Sequence, residues 1–83
     1  MIHTISSPET LGQALRAERK HRRVSQKVVG HSVGIAQHTI SKIEKGSPGT
    51  ELNTLFRLLA ALDLELNLQP RQKPATESTG DSW

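Results

Sequence analysis

SQKVVGHSVGIAQHTISKIEKG, residues 25–46, holds two short helical segments divided by a glycine. Ser25 is an N-cap residue, whose hydroxyl accepts a free amide proton from a helix's first turn. Val28, Val29 and Val33 supply the apolar positions of the helix it starts. Gly34 ends that helix, because the stop needs a left-handed residue and glycine takes that shape without strain. Ile35 falls in the turn. A second helix is expected from Gln37 to Glu44, with Ile40 and Ile43 facing inward. Two helices of this length about such a turn make a helix-turn-helix. Gly30, on the first of them, suits close packing between helices.

Outward from this pair, Ser7-Pro8-Glu9 reads as another helix start. It offers a capping hydroxyl, a proline at the first helical position and an acid in the first turn. Leu11, Ala14, Leu15 and Ala17 give that helix an apolar face as far as about Arg22. Gly46-Ser47-Pro48-Gly49 is a loop. A fourth helix is expected from about Leu52 to Leu62, with Leu52, Leu55, Leu59 and Leu62 on one inward stripe and Leu58 beside it. Leu64-Glu65-Leu66-Asn67-Leu68 alternates strictly, as a half-buried strand does. Its partner is either the short segment 2–5, an edge strand or an ordered arm, or the same strand of a second copy across a two-fold axis. From Pro70 the composition turns polar, so residues 70–83 are expected to form a disordered tail behind a domain of residues 1–69. The expected class is all-α, with four to five helices and one C-terminal strand.

A chain of 83 residues holds one domain. A domain this small buries only about 60% of its unfolded surface, so oligomerisation is a natural source of stability. Aromatic residues are 2% of the chain, Phe56 and Trp83, so the core must be aliphatic. The absence of cysteine excludes disulfides and thiolate metal sites and fits a reducing cytoplasm. His3, His21, His31 and His38 never pair at i, i+3 or i, i+4, so no metal is expected, and no cofactor. No nucleophile sits with a base and no glycine loop is shaped to cradle phosphates, so an enzyme is not expected. No apolar run approaches the ~20 residues of a membrane span, and the N-terminus lacks the pattern of a signal peptide.

The net charge of +3 is a mild pointer to nucleic acid. Its placement is stronger: Arg16, Arg19, Lys20, Arg22, Arg23 and Lys27 lie within twelve residues. Beside a helix-turn-helix, such a rim can neutralise phosphates. Gln37, His38 and Thr39 open the second helix of the pair, and Ser41 and Lys42 continue its outer face. In this docking mode the first residues of that helix meet base edges in the major groove. Glutamine can bond adenine through N6 and N7. Gln26 stands in the first turn of the preceding helix, where amides can receive a phosphate. Arg23, Lys27, Lys42 and Lys45 are placed for further backbone contacts, which give affinity and register.

Ser25-Gln26, Gly34-Ile35, Gln37, Thr39-Ile40-Ser41, Ile43-Glu44 and Gly46 resemble the phage-repressor-like, Xre/Cro/C1-type helix-turn-helix family. The chain is similar, over essentially its whole length, to one branch of that family, the HipB-type antitoxins of HipA–HipB toxin–antitoxin pairs. Ser7-Pro8, the Leu11-centred first helix, the leucine-rich fourth helix with Phe56, the 64–68 strand and the Glu77-Ser78-Thr79 tail ending in Trp83 carry this likeness. The resemblance implies base reading by Ala36, Gln37, His38 and Ser41. Ala36 stands where the family has a lysine and His38 where it has an alanine, departures that bear on which operator is read. It further implies a homodimer paired through Leu64, Leu66 and Leu68 on a palindromic DNA operator. It implies docking of Trp83 into a HipA-like toxin with a Ser/Thr kinase fold, and a cytoplasmic, nucleoid-associated location. Two readings follow. The chain represses transcription alone, which rests on residues 25–46, or it is also an antitoxin, which rests on the tail and the whole-chain likeness.

Overall fold

The computed structural model describes residues 2–71. They form four helices: α1 (Pro8–His21), α2 (Gln26–Val33), α3 (Gln37–Glu44) and α4 (Leu52–Ala61). Each expected helix is present, with ends within a residue or two of those read from the sequence. Ser7 caps α1 through a capping box in which its hydroxyl accepts from the Thr10 amide while Thr10 bonds back to the Ser7 amide. Ser25 caps α2 by accepting from the Val28 amide, and Gly34 closes it in the left-handed region at φ 72°.

Among the described residues the hydrophobic core is wholly aliphatic. Leu15, Val29, Ile35, Ile40, Ile43, Leu55, Leu58, Leu59 and Leu62 are buried together, with Leu11, Val24, Val33 and Leu64 packed against them. Ile40 is completely buried, so α3 is anchored at its centre. Phe56 is half exposed and adds no ring to this core.

Two glycines let the helices touch. A Cβ on Gly12 of α1 would lie 2.5 Å from the Ile43 carbonyl oxygen and 2.6 Å from that of Glu44. A Cβ on Gly30 of α2 would run into the Ile35 carbonyl oxygen in the turn that leads to α3. The small residue noted at position 30 is therefore a steric requirement of the turn.

The single chain departs from several of the expectations. Leu52 belongs to no inward stripe: it is 68% exposed, at the rim of an open hollow that it lines with Pro8 and Leu11 of α1. Val28 likewise faces out, and so does Ala17. In the single chain the segment 64–68 has no ladder partner among the described residues, which contain no strand. Only its first residue is packed, Leu64, whose amide bonds to the Leu59 carbonyl at the end of α4. Leu66 and Leu68 project from the single chain. The segment 2–5 is not its partner, for it turns to α1, where His3 bonds to Glu18 at 2.9 Å. The expected tail lies almost wholly outside the described residues, and Trp83 with it. No described helix is long and apolar enough to cross a membrane.

Gly30→Ala is expected to lower stability by about 1–3 kcal/mol, as overpacking does. At an open helix position the same change would gain up to about 1 kcal/mol from helix propensity. The urea midpoint reads the sign, and a rise would mean that the turn has room for the methyl group.

Candidate nucleic-acid interface

The buried side of α3 fixes what its other side can do. Ile40 and Ile43 lock into the core, and Glu44 is buried with them. What remains outside is Gln37, His38, Lys42 and Lys45, with Ser41 and Thr39 half-buried at the edges. His38, Ser41, Lys42 and Lys45 follow the i, i+3, i+4, i+7 spacing of one helix face. The turn that enters α3 exposes Ala36, which caps the helix with its backbone alone. The candidate base-reading positions 36, 37, 38 and 41 are thus brought together at one end of one helix. A shallow hollow beside them, lined by Thr39, Lys42, Ser47, Thr50 and Thr54, adds hydroxyls from the α3–α4 loop and the start of α4. The sequence reading missed those three later residues, because only the fold carries them to α3.

Glu44, at the far end of α3, ties all three N-terminal helices. Arg19 of α1 donates to it twice, Nε to Oε2 at 2.6 Å and Nη2 to Oε1 at 3.0 Å. Arg19 also donates to the Val24 carbonyl at 2.9 Å, so its guanidinium spans the α1–α2 connection. Gln26, the first residue of α2, donates its amide to Glu44 Oε1 at 3.1 Å. Arg19 is thus the arginine that pairs with Glu44. Burial pushes the Glu44 carboxyl up, but the hydrogen bonds from Arg19 and Gln26, with the charges of Arg19 and Arg16, outweigh it. The group ends below its ordinary value.

This changes the reading of the basic cluster. Arg19 is buried and committed to Glu44, so it belongs to the scaffold. Arg22 pairs with Glu18, which also accepts from His3. Those two hydrogen bonds, Arg22's first, hold the Glu18 carboxyl below its ordinary value against a smaller opposing effect of burial. Arg16, Lys20, Arg23 and Lys27 stay exposed. Gln26 is half-buried, with its side-chain amide turned to Glu44.

A model of the helix-turn-helix domain family matches residues 10–71. The antitoxin HipB of Escherichia coli strain K12 is 33% identical over 75 residues, spanning 90% of this chain and 85% of that protein. The chain belongs to the HipB family of helix-turn-helix antitoxins. Solved HipB structures superpose along their full length. The HipB-O4 20mer complex matches with a TM-score of 0.80 and 31% identity, covering 86% of this chain and 100% of that one. The HipA-HipB-O2-O3 complex matches with a TM-score of 0.79 at the same identity and the same coverage of both chains.

In this HipB-family chain the Arg19–Glu44 pair should be costly to break and cheap to replace. Arg19→Met alone leaves a buried carboxylate and is expected to cost about 3–5 kcal/mol. Adding Glu44→Leu should recover most of that loss. The pH dependence follows from the depressed carboxyls of Glu44 and Glu18. Their stabilisation is complete above the unfolded value, about 4.3. It drains away as the pH falls through the lower folded values. Urea unfolding at pH 7 and pH 3.5 should therefore show a smaller acid loss in the double variant than in the parent. An equal loss would place the acid sensitivity elsewhere.

Proposed function

We propose that the chain is a sequence-specific DNA-binding antitoxin that represses its own operon and neutralises a HipA-like Ser/Thr kinase. One observation carries the DNA half of this reading: the polar face of α3 stands free while its opposite face is locked into the core. A helix held this way can enter a major groove without the domain deforming. Gln37, His38, Ser41 and Ala36 then meet base edges. Thr39, Lys42, Lys45 and Lys27 approach phosphates, as does Gln26, whose amide Glu44 holds at the start of α2. The HipB complexes with which the chain superposes support this assignment.

The copy that completes a palindromic reader docks on Leu64, Leu66 and Leu68. Two of the three are exposed in the single chain, Leu68 fully, and their alternation acquires a ladder partner only from a second strand. Leu52 and Phe56, exposed one turn apart on α4, offer further apolar surface for such a copy. Dimerisation would set the two α3 helices about 34–36 Å apart, one turn of DNA. The chain acts in the cytoplasm, on DNA of the nucleoid, with Trp83 as the anchor for the toxin.

Footprinting on the DNA upstream of its own reading frame should reveal two half-sites about one helical turn apart. Gln37→Ala should weaken binding there by about 1–3 kcal/mol and relax the preference at one base of each half-site. An unchanged affinity and footprint would remove α3 as the reading helix. For the antitoxin half, the chain is mixed with the HipA-like kinase of the same genome and compared with a version ending at Ser82. Capture by the full chain, lost or weakened without Trp83, is the expected result. Capture by neither leaves a repressor that acts alone.

A further inference from the structure

The turn between α2 and α3 is restrained from three sides. Gly34 takes its left-handed conformation there. Ile35 is buried, and its amide donates to the Gly30 carbonyl at 2.8 Å. The third restraint comes from α4. The Arg57 guanidinium donates through Nη2 to the carbonyl of Val33, the last residue of α2. The same nitrogen would lie 3.2 Å from a Cβ placed on Gly34, so the guanidinium rests on the turn itself. A cation at this end of α2 also complements the helix dipole. Nothing in the sequence pattern marks Arg57, which falls between Phe56 and the buried Leu58.

Ala36 and Gln37 begin two residues past Gly34, so the path of this turn sets where α3 starts. We propose that Arg57 is a positioning residue for DNA reading: by capping α2 from α4, it fixes the turn that aims the start of α3 at the bases. It touches no base in this role. It also gives α4, the helix that exposes Leu52 and Phe56, a hold on the turn that leads into the reading helix. The proposal rests on the DNA-binding reading above.

Two other roles would leave different marks. An arginine bound to a DNA phosphate lowers affinity for every sequence when removed, and reduces the salt slope by about 1. An arginine that only stabilises the fold leaves the folded protein's affinities unchanged. The probes are a duplex selected from a random-sequence library by the parent chain and a scrambled duplex of equal length. Arg57→Met is measured against both across a salt series, at a temperature where circular dichroism shows it fully folded.

The expected result is a fall of roughly tenfold in affinity for the selected duplex, within the range one misplaced base contact produces. Affinity for the scrambled duplex and the salt slope should stay as in the parent. Arg57→Lys keeps the cation and one donor direction and should recover part of the loss. Amide exchange supplies a readout without DNA: the Gly34 and Ile35 amides should lose protection in Arg57→Met while those of α1 keep it. A selected-to-scrambled ratio equal to that of the parent overturns the proposal, as does a reduced salt slope. If the parent selects no duplex at all, it is the DNA-binding reading that fails, and unchanged exchange at Gly34 and Ile35 would then overturn the positioning role as well.

Discussion

The buried pair of Arg19 and Glu44 is the constraint on which the arrangement of the first three helices rests. A carboxylate placed in an aliphatic core is very costly unless its charge and lone pairs are met. Here Arg19 meets it with a two-pronged contact and Gln26 supplies a further donor. Those partners come from α1 and α2 while the carboxylate comes from α3, so no helix can shift without uncovering a charge. Aliphatic packing tolerates sliding of side chains of similar volume, whereas a forked guanidinium–carboxylate contact has one geometry. The pair therefore contributes definition of position more than net stability.

That definition matters because the proposed work of the domain is geometric. α3 has eight residues, too few to be stable in isolation. Its direction is set at one end by Glu44 and at the centre by Ile40. At its start it is set by the turn that Gly30, Gly34 and Arg57 shape. Every one of these restraints lies behind the helix or at its ends. The outward side chains are left free of structural duty and can vary without disturbing the fold. Ala36 and His38 occupy such positions, so their side chains can change without altering how the helix is held.

The helices were legible because their signals are local. Ser7, Ser25 and Gly34 mark ends through contacts with residues three or four away, and Ile40 and Ile43 mark the buried side by spacing alone. What the sequence concealed depends on neighbours distant in the chain. Arg19 looks like its basic neighbours until Glu44, 25 residues away, is brought against it. Leu52 continues the leucine spacing of α4, yet the hollow it shares with the start of α1 is left open and the side chain stays exposed. Leu64 to Leu68 alternates as a strand should, but a strand exists only with a partner, and within one chain the segment 2–5 is drawn instead to Glu18. Of the candidate site, the face of α3 could be read from spacing. The hydroxyls of Ser47, Thr50 and Thr54 could not, because the loop brings them there.

The all-aliphatic core also governs how this molecule can be watched. The chain has no tyrosine, one phenylalanine and one tryptophan. Phe56 is half exposed, and the tryptophan is residue 83, at the far end of the chain from α1. Among the described residues Phe56 is the one aromatic side chain, and no indole is present there to report the unfolding of the helices. Indole emission from the chain belongs to Trp83 alone. Its light signal reports the surroundings of that one residue, whatever they are in each state of the protein.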